Sequence, residues 1–504
     1  MYTRCLLTII TISLLLAGCS TGRLSVGPYK KYSPATLQRD YAIFRQTLEE
    51  AHPGLYWYTS KDSMDYYFDW GQQQLKDSLT EPEFRQVLTY VAAQINCGHT
   101  TIRSSKNYAR MQDSSRIQRI FPLSLKLWND TAVVAANLHT RDKVLTRGTR
   151  ILAINEVPIN TITDSLFQFI STDGFNRTHK YQVLSNRGFF GSLYSSVYGY
   201  SMPYTIRYAD SLNVERDTTL FPYIPANDTA GRRRIPQQGR TLPAPSPQQI
   251  KESRLNSVRL LKLDTAGKAA MMDLHSFGRG YGLKGFFRRS FRNLKKYEIR
   301  HLIIDVRGNG GGSVTNSTFI SRYIANKPFR VADSLYAVAK RKKYSRYIES
   351  DFFNRLFISL FAGKKKDGLY HFRYFERHRF KPRKKNHFDG KVYIVTGGNS
   401  FSATTLFANA VKEQENVIIA GEETGGGAYG NSAWLIPDVT LPGTGVRFRL
   451  PLFRLVINKD LPKDGRGVQP EVYIGPTIPA IRRGADFKME KVMQFIAADD
   501  KPQQ

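Results

Sequence analysis

Long apolar runs are missing from this chain. No stretch of 18 or more apolar residues occurs among its 504 residues, so no ordinary membrane-spanning helix is encoded. Cysteine is scarce: Cys5, Cys19 and Cys97 are the only three, which excludes a disulfide scaffold. Acidic side chains are outnumbered, 42 Asp+Glu against 74 Lys+Arg, and the resulting net charge of +32 points to an anionic partner or surface. The nine His form no HExxH pair and no Cys/His cluster, so neither a metal nor a cofactor is indicated. What is present is ordinary globular usage, 41% hydrophobic and 23% charged. At about 150 residues per domain, the length suggests roughly three domains.

The N-terminus MYTRCLLTIITISLLLAGCS joins a basic Arg4 to a short apolar stretch, 5–17. That is the pattern of a secretory signal, too short for a mature membrane anchor. Leu16-Ala17-Gly18-Cys19 resembles the bacterial lipobox, which implies cleavage before Cys19 and acylation of its thiol. Several acyl chains, at about 0.8 kcal/mol per buried CH2, anchor a soluble domain stably. Residues 1–18 are then a signal peptide and 19–34 a lipidated tether. Cys97 is left as the single free thiol, and the expected location is the cell envelope. Ser20 provides no retention signal of the Asp type, which favours the outer membrane facing the periplasm. There the charge suits anionic lipid or an envelope polymer, and no nucleic-acid partner is expected.

Residues 35–115 read as an N-terminal helical domain. Leu37, Tyr41, Phe44 and Leu48 recur at helical spacing, and Thr80-Glu81-Pro82-Glu83 fits a capping box that opens a helix through Ile95 to Cys97. Residues 116–225 turn to strand-like runs. Within them Gly148 leads into Arg150–Ile154 and an Asn155 hairpin, with a helix expected over Ser165–Ser171, a pattern that resembles a PDZ domain. Pro236, Pro243, Pro245 and Pro247 mark 226–255 as a linker. Residues 256–480 alternate strands (Ala269–Leu274, His301–Val306, Lys391–Thr396, Val417–Ala420) with helices, which predicts an α/β core with a mostly parallel sheet. Residues 481–504 read as a C-terminal tail. The segment 340–389 holds 16 Lys+Arg against 5 Asp+Glu, a net +11, and includes the apolar run Phe352–Phe361. It reads as a basic insertion, either simply solvated or resting on anionic lipid.

Two motifs stand at the ends of expected strands. Asp305-Val306-Arg307-Gly308-Asn309-Gly310-Gly311-Gly312 is a glycine-rich turn that exposes backbone N–H groups, as an oxyanion or phosphate site requires. No Gly-Lys-Ser/Thr follows it, so it is not a Walker loop. Thr396-Gly397-Gly398-Asn399-Ser400-Phe401-Ser402-Ala403 places a serine at a strand-to-helix turn, where the helix dipole favours an anion. The Gly-x-Ser-x-Gly elbow of the α/β-hydrolases is absent.

Together these motifs resemble the family of the C-terminal processing peptidases, the tricorn protease core and the interphotoreceptor retinoid-binding protein repeats. Cys97-Gly98-His99-Thr100, Gly421-Glu422-Glu423-Thr424 and Gly467-Val468-Gln469-Pro470-Glu471 match further family motifs in order. The resemblance covers roughly 35–480 and implies a ClpP/crotonase-like α/β core. One catalytic plan of the family is a Ser–Lys dyad with the Lys 25 residues after the nucleophile; here that position is Gly427. The tricorn-like plan of Ser, His and an acid maps onto Ser402, His99 and Asp464, with an Asp where Glu is usual and Gly98 where the tricorn core has Ser.

On this reading Ser402 attacks a carbonyl, His99 exchanges the proton, Asp464 orients the imidazole, and the N–H groups of Gly311 and Ala403 hold the oxyanion. The expected activity is that of a serine endopeptidase acting on peptides or partly unfolded proteins. The alternative is a non-catalytic ligand- or peptide-binding protein on the same scaffold. Plainer roles exist for each residue. Ser402 suits an N-cap, Ser400 is a rival nucleophile, His275 is a rival base, Asp305 and Arg307 suit an internal ion pair, and Cys97 suits a buried helix end.

Overall fold

A computed structural model describes residues 30–114, 120–225 and 245–499. The lipobox Cys19 and its tether up to residue 29 lie outside the described residues, as do 226–244 and the last five positions. The chain has a mixed α/β fold with several sheets.

The central layer of the core is a six-stranded sheet in the order Arg259–Asp264, Ala269–Leu274, His301–Asp305, Lys391–Thr396, Val417–Gly421, Val472–Tyr473. Only the first pairing is antiparallel. Side chains alternate across a strand, and here both faces are covered. Leu302, Ile304, Val392, Ile394 and Ile419 pack against Phe287, Phe291, Ile320 and Phe407. On the opposite face Ile303, Tyr393, Val395 and Ala420 meet Val492 and Ile496. The latter two belong to the helix Phe487–Asp499, so the end of the chain, expected as a tail, is the second cover of the sheet. Its Lys488 pairs with Glu422 and its Asp499 with Lys391. Its apolar positions Phe487, Met489, Val492, Phe495 and Ile496 all pack against this face of the sheet, while Lys488, Glu490, Lys491 and Asp499 interleave with them along the helix.

Residues 120–225 form an antiparallel sheet of Leu123–Trp128, Thr131–Asn137, Arg150–Ile154, Tyr204–Ala209 and Glu215–Leu220. The helix expected over Ser165–Ser171 instead runs Ile159–Phe167, directly from the hairpin, because Ile159, Ile162, Leu166 and Phe167 all point into this sheet's core. Part of the expected linker is also helical. Pro247–Asn256 carries a capping box between Ser246 and Gln249, with the proline at the helix start, where its missing N–H costs nothing.

The N-terminal helices Pro34–Ala51, Lys61–Gln73 and Glu81–Ala93 share one apolar core with residues far along the chain. Phe44 meets Phe448 edge-on with ring centres 5.0 Å apart. The Thr80/Glu83 capping box forms as expected, although the helix it opens stops at Ala93. The shared core includes a five-stranded antiparallel sheet built from Gly363–Lys364, Tyr370–His371, Ser334–Ala337, Phe453–Val456 and Gly430–Ala433. This fusion of residues 32–97 with 331–457 brings the turn at His99 to the core.

Candidate active site

Ser402 sits where the strand Lys391–Thr396 hands over to the helix Ala403–Val411. Its backbone has φ 55° and ψ −119°, a region that L-residues rarely occupy. Strain of this kind costs on the order of 1–3 kcal/mol and persists only where the surroundings impose it. The hydroxyl makes no capping hydrogen bond to the helix, so the N-cap role is not what holds Ser402 there. Among the described residues the Ala403 N–H meets no acceptor.

The rival Ser400 is committed elsewhere. It is fully buried, its Oγ donates to the Val306 carbonyl at 2.8 Å and accepts from the Gly397 N–H at 3.2 Å. That bond, with Phe401 N–H to the Asn309 carbonyl at 3.1 Å, ties the serine turn to the glycine-rich turn. Asn309 then fixes the second loop from within: its amide donates to the Leu274 carbonyl and its Oδ1 accepts the Gly311 N–H at 2.9 Å. Gly311, expected as a free oxyanion donor, is therefore engaged in this structure. Its position still requires glycine. With φ 97°, a Cβ there would lie 2.8 Å from Ser402 Cβ and 2.6 Å from the Phe401 carbonyl oxygen. Asp305 and Arg307 do pair, Nε to Oδ2 at 3.0 Å, and Arg307 also grips Asp486 ahead of the last helix.

His99 is buried in the turn after the N-terminal helices, its ring 5.0 Å from that of Phe401. No hydrogen bond joins His99 to Ser402, and among the described residues Nδ1 of His99 has no hydrogen-bond partner. The carboxylate beside it belongs to Asp173, with Oδ1 3.9 Å from Nδ1. Asp173 accepts N–H groups from Gly98 at 2.9 Å and Gly427 at 3.4 Å, so it links the His99 turn to the glycine run that follows Thr424. Burial lifts its carboxyl to a pKa of about 6, against the pull of those two N–H bonds and of Arg454. Burial likewise pushes His99 down to about 3, helped by Arg449, His179 and His52. At neutral pH the pair is thus a neutral imidazole beside a carboxylate.

The structure does not bring Asp464 to His99. Its Oδ1 accepts the Arg466 N–H within its own turn at 2.9 Å, and the residue lines a cavity of about 650 Å³ with Arg330, Asn409 and Gln469. Neither Ser402 nor His99 lines that cavity. The rival base His275 is exposed at the end of its strand, its N–H bonded to the Val258 carbonyl. Sequence reasoning missed both Asp173 and His179. The latter donates from Nδ1 to the Gly398 carbonyl at 2.7 Å and stacks on Phe401 with centres 4.9 Å apart.

Cys97, His99 and Asp173 hold their ligand-type atoms within 4.8 Å of one another. A divalent ion there would face Arg454, a buried guanidinium whose field already acts on Asp173 and on Cys97. Burial also drives the Cys97 thiol up to about 11, away from the thiolate a metal needs. The charge balance therefore fits a base and its carboxylate better than a metal centre.

A strained serine at a helix N-terminus, a glycine-rich turn packed against it and a buried imidazole 3.9 Å from a carboxylate are the features this region presents. Residues 268–474 match the model of Peptidase family S41, so the chain carries a Peptidase family S41 domain and is by class a serine-type peptidase. That match, 207 of 504 residues, includes Ser402 and Gly311 and excludes His99 and Asp173. Among solved structures, mature CPAF aligns with a TM-score of 0.61 at 14% identity, covering 93% of this chain and 99% of its own. A CPAF mutant aligns with a TM-score of 0.64 at 13% identity, covering 92% and 98%. At these identities the likeness is one of fold, and it extends over nearly the whole chain. Comparison with curated proteins finds no match.

Proposed function

We propose that this protein is a lipid-anchored serine endopeptidase of the bacterial cell envelope, acting on peptides or partly unfolded proteins. The observation that carries the reading is Ser402: strained, uncapped and half-buried, at the positive end of a helix dipole. In the proposed mechanism its Oγ attacks the scissile carbonyl while His99 takes the proton. Asp173 stabilises the imidazolium that forms, in place of the Asp464 expected from the motif. The Ala403 N–H receives the oxyanion, and Gly311 adds a second donor by exchanging Asn309 Oδ1 for it. The proton then passes from His99 to the leaving amine, and water hydrolyses the acyl-enzyme by the same route. Hydrogen bonds of such sites often tighten only when substrate is bound. The sheet of residues 120–225 is read as a PDZ-like module, and Cys19 as the acylated residue that holds the protein at the outer membrane.

The test is Ser402→Ala in the purified protein. It removes hydrolysis of an unfolded protein substrate and covalent labelling by a serine-directed phosphonate, and undiminished activity would refute the assignment. A second reading, a binding protein on a peptidase scaffold, draws on the missing hydrogen bond between Ser402 and His99. It predicts saturable peptide binding with no labelling of Ser402 in the unsubstituted protein.

A further inference from the structure

The helix Asp351–Phe361 leaves most of its apolar surface uncovered. Only Asp351, Asn354 and Ile358 are buried, while Phe357 packs on Phe372 with centres 5.4 Å apart. On the outer arc Phe352 is 64%, Phe353 68% and Leu360 67% exposed, and Leu356 lies between them. At about 100° per residue, positions 352, 353, 356 and 360 fall within one arc of about 100° on the helix. Monomeric soluble proteins rarely leave such a contiguous patch open, and one of this kind marks an interaction surface.

Charge says what covers it. The apolar arc runs into Lys364 and Lys366, with Arg373 beside Gly363 on the adjoining segment. Among the described residues Lys364, Lys366, Arg373 and Arg377 are exposed and form no ion pair. The one acidic group on the helix is cancelled from within: Asp351 is held by Lys342 at 2.9 Å and Arg355 at 3.0 Å. An aromatic and leucine arc flanked by uncompensated cations is the pattern of a helix lying in an anionic lipid interface.

The tether supplies a second, independent argument. The described chain begins at Lys30, and the helix Pro34–Ala51 follows. Near its far end Gln46 accepts the Tyr344 hydroxyl at 2.8 Å, and Glu50 accepts the Lys343 N–H at 2.9 Å. Those residues lead into the exposed helix. Pro34 and Gln46 are about 18 Å apart along the helix axis, and the eleven steps from Cys19 to Lys30 span at most about 40 Å. A chain acylated at Cys19 would therefore leave the exposed helix within reach of the lipid surface.

We infer that the helix Asp351–Phe361 docks on an anionic phospholipid surface, inserting Phe352, Phe353, Leu356 and Leu360 while Lys364, Lys366 and Arg373 meet the headgroups. The inference rests on the envelope placement proposed above, and not on the identity of the nucleophile. Docking fixes the orientation that a lipid tether alone leaves free. The basic residues are attracted to such a surface electrostatically, so the attachment weakens with salt.

The experiment uses the mature chain from residue 19 with Cys19→Ser, which has no acyl anchor. It is sedimented with vesicles of pure phosphatidylcholine and with vesicles containing phosphatidylglycerol. Binding to the anionic vesicles only, lowered at least tenfold by high salt and by the combined change Phe352→Ser, Phe353→Ser and Leu360→Ser, is the expected result. The melting temperature of the triple variant reports that it is folded, and the two separate changes Lys364→Gln and Lys366→Gln give the same loss of binding more mildly. Equal binding by the folded triple variant overturns the inference. So does a concentration-dependent dimer in lipid-free solution that the triple change abolishes without any vesicle binding by the parent, which would assign the face to a second copy of the chain. Ser402→Ala leaves vesicle binding intact whichever way the peptidase assignment falls, so the two readings fail separately.

Discussion

Asp173 Oδ1 stands 3.9 Å from Nδ1 of His99, and the two are 74 positions apart in the sequence. The carboxylate is held by backbone N–H groups from both sides, Gly98 beside His99 and Gly427 in the core. Those two bonds tie the N-terminal turn to the glycine run after Thr424, and in the proposed mechanism this carboxylate orients the imidazole.

That placement distinguishes two carboxylates. Asp173→Asn is expected to lower kcat/KM on an unfolded protein substrate by roughly 10²-fold or more, as loss of an orienting acid does in a serine triad. Asp464→Asn, away from His99, is expected to change it less than threefold. The reverse ranking, measured side by side, would return the role to Asp464.

The same pair sets a pH dependence. With Asp173 lifted to about 6 and His99 depressed to about 3, the imidazole stays neutral across the working range and the carboxylate is the group that titrates. The carboxylate form is the active one, so kcat/KM falls as pH drops through about 6 and levels off above it. A profile of kcat/KM from pH 4.5 to 8 checks this, and in Asp173→Asn the acid limb disappears from the residual activity. A limb that survives in that variant belongs to another group.

Gly98 occupies the place where the tricorn core carries serine. A Cβ there would meet Phe401 Cζ at 2.4 Å, and Phe401 is the ring against which His99 rests. Gly98→Ser is expected to lower kcat/KM at least tenfold by displacing that ring. Combining it with Phe401→Leu, which vacates the space, is expected to recover part of the loss, a coupling that a double-mutant cycle measures.

Much of this was legible beforehand, for identifiable reasons. The strands Arg150–Ile154, Ala269–Leu274 and Lys391–Thr396 stand where their apolar runs and bounding turns put them. The choice of Ser402 over Ser400 rests in the sequence on the motif alignment alone; the structure adds that the Ser400 hydroxyl is tied to the Val306 carbonyl. Asp173 was hidden for a different reason. It lies in Ser171-Thr172-Asp173-Gly174, which reads as an ordinary turn, and its burial comes from the meeting of segments remote in sequence. The prolines before residue 250 misled in a simpler way: Pro247 begins a helix, which a proline-rich segment read by composition conceals.

Gly311→Ala tests how closely the two turns must approach. Its φ of 97° and a Cβ 2.8 Å from Ser402 Cβ leave no room for a methyl group. The substitution is expected to cost about 1–3 kcal/mol of stability, read as a lower midpoint in urea, together with loss of phosphonate labelling. Unchanged labelling in a folded Gly311→Ala protein would show that the glycine turn does not border the nucleophile.

The central claim is that Ser402 is the nucleophile, and intact-protein mass spectrometry after treatment with a serine-directed phosphonate tests it most directly. One adduct per chain, mapped to the peptide containing Ser402, absent in Ser402→Ala and retained in Ser400→Ala, is the predicted result. An adduct that persists in Ser402→Ala, or that maps to Ser400, would contradict it.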